Sequence, residues 1–244
     1  MTKVIYISDV HNEHWKCNKL LAVTPDKEAI LVVAGDINWK GRSVKDLDEV
    51  ADNFLAVVAV LGNHDWWKLA LQDTSKHISC KPNVHILEDS SIVIENILFV
   101  GSTLWTDMSS PAAIRMWPGV MNDARYIRGT KYSKLRDWNL HLIHTNSVDY
   151  IGSHENSVVE YKAKVLVTHH AMSHLSIAPQ YMGSEYNVFY YTPLEYLLEG
   201  FDYHLHGHVH KEVRQEVYGC KILSNPLGYP GENPDYVYGT SILI

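Results

Sequence analysis

The sequence predicts an α/β fold with a parallel βαβ core. Short apolar runs rich in β-branched residues recur along the chain, an amphipathic stretch separates two of them, and no internal repeat or linker breaks the pattern. With 244 residues, 46% of them hydrophobic, the chain suffices for one large domain over residues 1–244 and falls short of two independent ones.

The first strands are read at Val4 to Ile7, Ile30 to Ala34 and Ala56 to Leu61. Several of the runs are apolar throughout, as strands buried on both faces are. Between the second and third, Ser43 with Asp46 has the form of a capping box opening a helix from Ser43 to Leu55, with Val44, Leu47, Val50, Ala51 and Leu55 facing inward. From Val84 to Gly101, the runs Ile92 to Ile94 and Ile97 to Val100 flank Glu95-Asn96, which suits an antiparallel hairpin. A helix is expected over Lys134 to Val148, then strands at Lys164 to Val167, Tyr203 to Leu205, Val213 to Val217 and Lys221 to Leu223. Thr192-Pro193-Leu194-Glu195 reads as a helix start with proline at the first position, and Gly200 as its end. Ala171 to Tyr191 and Gly228 to Tyr238 read as loops.

Lys and Arg number 21 against 28 Asp and Glu, a formal net charge of −7. This charge opposes stable binding to nucleic acid or an acidic membrane, and no apolar stretch approaches the roughly 20 residues of a bilayer span. The cysteines Cys17, Cys80 and Cys220 form no C-x-x-C pair, and the N-terminus lacks a signal-peptide core, so a cytoplasmic location is expected. The chain has 15 histidines, the side chain most used for metal ligation and proton transfer near neutral pH.

The chemistry-bearing residues follow strand-like runs: Asp9 and His11 after the first, Gly35-Asp36 after the second, Gly62-Asn63-His64-Asp65 after the third, then His169-His170 and His206-Gly207-His208-Val209-His210. In open α/β sheets the carboxyl ends of the strands converge on one rim, where ligands bind. In this order the motifs resemble those of the calcineurin-like metallophosphoesterase superfamily. The resemblance implies a two-sheet β-sandwich of mixed sheets flanked by helices, in four αββα layers. It also implies a phosphoesterase with two divalent ions, Mn²⁺, Fe²⁺/Fe³⁺ or Zn²⁺, that hydrolyses a P–O ester bond by attack of a metal-bridging hydroxide.

Carried over residue by residue, the resemblance assigns Asp9, His11, Asp36 and His210 to one ion and Asp36, Asn63, His169 and His208 to the other. His64 becomes the general acid on the leaving alkoxide. Carboxylate, imidazole and amide oxygen without thiolate suit these metals. Phosphoprotein phosphatases of the superfamily orient the acid with an Asp three residues after the bridging Asp, where this chain has Trp39. That departure argues against a protein phosphatase. A narrower resemblance, to small bacterial and phage members, rests on Gly101 to Thr106, Thr168 to Ala171, Gly183 and Asn225 to Asn233. In that group the position of Leu227 is often Arg, so Leu227 removes one donor to an anionic substrate.

Residues expected to orient a ligand or touch substrate are His170, His206, Asn38, Arg42 and, as the aromatic pocket wall, Trp66. His141 and His144 are read as a solvated helix face, and Asp65 as a helix-start or supporting carboxylate. The substrate expected is a phosphate ester, nucleotide-like on the Trp and Tyr content, with a phosphodiester favoured over a monoester because no Arg-Asp pair suited to a dianionic phosphate is evident. A monoesterase, a metallonuclease and a non-catalytic scaffold of the same fold are the alternatives.

Overall fold

The computed structural model describes residues 1–108, 110–154 and 159–244. Strands β1 (Lys3–Ile7), β2 (Asp26–Ala34), β3 (Phe54–Val60), β4 (Val84–Leu87) and β11 (Ser241–Leu243) form a five-stranded sheet in the order β11-β1-β2-β3-β4. All its pairs are parallel except β11 on β1. Strands β5 (Ser90–Ile94), β6 (Ile97–Ser102), β7 (Ala163–Thr168), β8 (Tyr203–Leu205), β9 (Val213–Val217) and β10 (Cys220–Ser224) form a second sheet, ordered β5-β6-β7-β8-β10-β9, with antiparallel pairs at its two edges. Helices α1 (Ser43–Ala51), α2 (Pro111–Val120), α3 (Asp123–Tyr126) and α4 (Asp137–Gly152) complete the mixed two-sheet architecture expected from the resemblance.

Strand alternation explains why the runs are apolar on both sides. Val4, Tyr6, Ile30, Val32, Val58 and Val60 pack against Ile97, Phe99, Val165, Val167 and Leu205 between the sheets. Their sequence neighbours Ile5, Ile7, Leu31, Val33, Val57 and Ala59 face Leu47, Val50 and Ala51 of α1. On the far face of the second sheet, Leu98, Val100, Leu166 and Ile222 meet Ile151, Leu197 and Leu198. The inner strands β1, β2, β3, β6 and β7 are thus covered on both faces, as parallel sheets require, while the edge strands β5, β9 and β11 keep exposed positions.

Several expectations are corrected. Helix α1 stops at Ala51, because Phe54 enters the ladder opposite Asp26 and starts β3, leaving Leu55 38% exposed rather than packed under a helix. Ser43 and Asp46 form no capping box: Ser43 Oγ donates to Asn38 O and to Asp65, while Asp46 Oδ2 accepts from Asn12 and Asn38. Val84 to Gly101 holds a further strand: β4 closes the first sheet, residues 88 and 89 cross over, and the expected hairpin opens the second. The segment after Thr192 is a 3₁₀ helix, Glu195–Gly200, capped at Leu194 without a side-chain bond. The stretch from 171 to 191 contains three 3₁₀ turns, at His174–Ser176, Pro179–Tyr181 and Glu185–Phe189. On α4, His141 is exposed and donates to Asp107, whereas His144 is buried and donates to Trp105 O.

Candidate metal centre

The residues after the strands converge. Ligand atoms of Asp9, His11, Asp36 and His210 lie within 4.8 Å of one another, and so do those of Asp36, His169 and His208, so Asp36 belongs to both groups. Asn63 Oδ1 joins the second group at 3.1 Å from His169 Nε2. All seven side chains come from loops that leave strand ends on one rim, which is why positions as far apart as 9 and 210 meet.

The backbone is strained to bring them there. Asp9, His11, Asp36, His208 and His210 all have positive φ, between 47° and 69°. The left-handed region costs an ordinary residue roughly 1–2 kcal/mol, although Asp and His visit it more readily than most. Such strain persists only where the surroundings over-determine it, and it gathers at functional sites. Asp65 is one over-determining group: its carboxylate accepts from the backbone N–H of Asp36 (2.9 Å), Asn38 (3.2 Å) and Gly62 (2.7 Å) and from Ser43 Oγ. Burial pushes Asp65 up to about 7, against the pull of Ser43 and the Gly62 and Asn38 donors. Gly62 has to be glycine, since a Cβ there would overlap both Asp36 Oδ1 and Asp36 N.

Hydrogen bonds on the far side of each ring set the tautomers. His169 Nδ1 donates to Ala34 O at 3.0 Å, His210 Nδ1 to Glu232 at 2.7 Å, His11 Nδ1 to Glu13 at 3.1 Å, and His208 Nε2 to Phe189 O at 3.1 Å. The opposite nitrogens keep their lone pairs. Burial lowers His169 and His208 well below the usual histidine range, which keeps them neutral.

The donor set fits divalent cations on three grounds. His11 Nε2 and His210 Nε2 face each other at 3.0 Å with both Nδ1 protons spent elsewhere, a contact that a proton on His210 Nε2 bridges and that a cation would bridge equally well. Asp9 Oδ2 is buried and has no hydrogen-bond partner among the described residues. Burial and the carboxylates of Asp65 and Asp9 push Asp36 well above the carboxylate range, a cost that a cation would remove. The His210 ring reports the same field: burial alone would lower it, yet Asp9 and Glu232 push it up to about 10.

His64 stands beside these groups. Its backbone N–H donates to Asp36 Oδ1 at 2.8 Å, and its ring lies on Trp67 at 3.5 Å. His64 Nδ1 donates to Glu13 at 2.8 Å, and Nε2 lies 3.4 Å from Tyr229 Oη. Burial lowers His64, with Glu13 opposing. Glu13 therefore supplies the carboxylate that Trp39 does not.

A cleft of about 440 Å³ opens over Asp36, Asn63, His64, His208 and His210. Trp67, Tyr181, Tyr186, Tyr190 and Tyr229 supply its aromatic walls, and among the described residues that line it none is Lys or Arg. The expected aromatic wall shifts by one residue. Trp66 is buried against His77 in the core and does not line the cleft, whereas Trp67 lines it and donates from Nε1 to Asp123. The 3₁₀ turn His64–Trp66 sends the two indoles to opposite sides.

The other supporting candidates also stand away from the cleft. His170 packs 4.2 Å behind the His208 ring and donates to Thr103 O. His206 is buried between Ser176 and Gly207 O. Asn38 is spent on Asp46 and on the Trp39 N–H, Arg42 is exposed before α1, and Leu227 is buried in the core beside α1. The sequence reading missed Glu13, Asp123, Tyr229 and Glu232. For Glu13 a signal existed, an acid two residues after His11 on the same turn; for the others the contacts are long-range only.

Comparison with known proteins agrees with this geometry. The family model for calcineurin-like phosphoesterases matches residues 2–212. The uncharacterized protein L509 of Acanthamoeba polyphaga mimivirus is 26% identical over 263 residues, covering 95% of this chain and 92% of its own. The crystal structure of phosphopantetheinyl hydrolase (PptH) from Mycobacterium tuberculosis superposes with a TM-score of 0.73 at 19% identity, over 99% of this chain and 96% of that one. A candidate 5′-nucleotidase from Staphylococcus aureus has a TM-score of 0.50 at 12% identity, over 93% of this chain but 48% of its own.

Proposed function

The chain belongs to the calcineurin-like phosphoesterase family, and from that premise we propose that it hydrolyses a P–O ester bond with the help of two divalent metal ions. The observation that carries the reading is the sharing of Asp36 by two groups of ligand atoms on the floor of a cleft that also holds His64. Asp9, His11, Asp36 and His210 would hold one ion, and Asp36, Asn63, His169 and His208 the other. When bound, such ions would acidify water and neutralise charge on the phosphoryl oxygens.

The chain's own residues do the rest. The reaction exchanges the P–O bond to the leaving alcohol for one to a water oxygen. His64, with Nδ1–H fixed on Glu13, presents Nε2 to the cleft; in the imidazolium form that Glu13 favours, it gives the Nε2 proton to the departing oxygen and returns to the neutral Nδ1–H tautomer. Trp67 beneath the ring keeps it from turning away. The aromatic walls suit a flat, uncharged substituent such as a nucleoside.

We favour a phosphodiester over a monoester. A diester carries one negative charge and a monoester near neutral pH up to two, and the described cleft lining offers no Lys or Arg to take the second. Leu227, buried in the core, does not take that part. The fold neighbours that carry names, a phosphopantetheinyl hydrolase and a candidate 5′-nucleotidase, are consistent with a substrate of nucleotide-like size.

The test strips the protein of metal, reloads it with Mn²⁺ and compares hydrolysis of bis(p-nitrophenyl) phosphate with that of p-nitrophenyl phosphate. Faster diester turnover is expected, and no turnover with Asp36→Asn. Equal rates in wild type and that variant, or failure to bind metal, would overturn the reading.

A further inference from the structure

Glu13 touches neither the cleft nor a bound group, yet its side chain is only 2% exposed and sits at the meeting point of two histidines with different work. A single oxygen, Oε1, accepts from His11 Nδ1 at 3.1 Å and from His64 Nδ1 at 2.8 Å. The two rings stand 4.4 Å apart, nearly edge to face at 73°. The other oxygen, Oε2, is buried and has no hydrogen-bond partner among the described residues. A buried carboxylate left half unsatisfied is costly, and its retention calls for a role beyond stability.

The turn that carries Glu13 is itself pinned. It is a 3₁₀ turn, Asn12–His14, entered from His11 in the left-handed region and closed by His14 N–H on His11 O at 2.9 Å. Asn12 ties it to the body of the protein through Asn18 (2.8 Å) and Asp46 (2.9 Å). Glu13 is thereby held on a rigid element and cannot follow one histidine away from the other.

We infer that Glu13 is a positioning residue that aims a metal ligand and the general acid at once, so that the His11 ion site and the proton donor are built as one unit. By accepting both Nδ1 protons, Oε1 turns His11 Nε2 toward Asp36 Oδ2 (3.6 Å) and His210 (3.0 Å), and turns His64 Nε2 into the cleft. No other described group accepts from either Nδ1 atom, so loss of the carboxylate frees both rings to rotate or change tautomer. The inference rests on the proposed roles of His11 and His64.

The experiment uses the full-length chain with Glu13→Gln, Glu13→Asp, His64→Ala and the double variant Glu13→Gln/His64→Ala. Calorimetry with Mn²⁺ gives stoichiometry and affinity, and diesters with p-nitrophenol and with a simple alcohol as leaving group give rates. Glu13→Gln should weaken Mn²⁺ binding by roughly 10–100-fold while two ions still bind at saturation. At saturating Mn²⁺ it should slow the alkyl ester more than the p-nitrophenyl ester, and Glu13→Asp should restore part of both losses. In the His64→Ala background, Glu13→Gln should add no further leaving-group dependence yet still weaken metal binding. ¹⁵N NMR of the wild-type protein loaded with Zn²⁺ should show both His11 and His64 protonated at Nδ1, a readout that needs no variant.

An Nε2-protonated neutral His64, unchanged metal binding and rates in Glu13→Gln, a uniform rate loss that adds to that of His64→Ala, or a third bound ion lost with Glu13 would each overturn the inference. Wild-type protein that binds no metal or hydrolyses neither ester would instead defeat the phosphoesterase reading itself.

Discussion

Asp123 Oδ1 accepts from Asn63 Nδ2 at 2.9 Å and so fixes which end of the amide faces the candidate metal centre. With Nδ2 engaged, Oδ1 is the atom left within 3.1 Å of His169 Nε2. The same Asp123 oxygen accepts from Trp67 Nε1 at 2.8 Å, so one carboxylate orders an amide ligand and the indole beneath His64. Asp123→Ala frees both. Mn²⁺ affinity should fall by roughly 10–100-fold, read by calorimetry, while Asp123→Asn, which can still accept one bond, should lose less. Unchanged affinity in Asp123→Ala would show that the amide needs no such anchor.

Asp36 belongs to both ligand groups, so its loss should not be divisible between them. Asp36→Asn keeps the shape and removes the charge that belongs to both candidate ligand groups. Bound metal, measured by elemental analysis after gel filtration, should fall below one ion per chain, and turnover should fall to background. The apoprotein should melt no lower than wild-type apoprotein, because burial and the neighbouring carboxylates make this charge a cost without metal.

His64 lies among the ligands but is assigned a different task, and the two parts separate experimentally. His64→Ala should leave two ions bound and reduce kcat by roughly 10²–10⁴-fold for esters with poor leaving groups, with a much smaller loss for p-nitrophenyl esters. Loss of an ion in this variant would make His64 a ligand instead.

Glu88 provides a prediction on pH and stability. It lies where the chain crosses between the sheets, and its Oε2 accepts from the Thr103 N–H and Oγ1. Burial pushes Glu88 up to about 7 from an ordinary 4.5. Between these values the folded protein keeps a proton that the unfolded chain has released, so this contribution to stability is present below about pH 4.5 and is lost as pH rises through 7. Urea unfolding at pH 5 and pH 8 should show wild type losing on the order of 1–3 kcal/mol relative to Glu88→Gln. A difference between the two proteins that does not change with pH would refute the assignment.

The strands and the ligand types were legible because both are local. A short, continuously apolar, β-branched run such as Val4 to Ile7 reads as a strand buried on both faces, and an Asp or His just after such a run lands on the rim where strands end. The additional helix α2 was not legible, because it holds two prolines: Pro111 opens it and Pro118 falls in its last turn. Trp66 and Trp67 could not be told apart from spacing, because a tight turn decides which indole faces the cleft.

The sequence by itself determined the strand-like runs and the Asp, Asn and His residues that follow them, and the resemblance carried by those motifs implied the two-sheet fold, the seven candidate ligands and a separate role for His64. Only the tertiary structure decided which groups aim them. Glu13 reaches His64 across 51 positions and Asp123 reaches Asn63 across 60. An orienting hydrogen bond depends on ångström-scale distance and on the direction of a lone pair, and neither is encoded in the local pattern around a carboxylate. The cleft's aromatic walls arose in the same way, from turns near residue 185 folding over strand ends near residues 36 and 63.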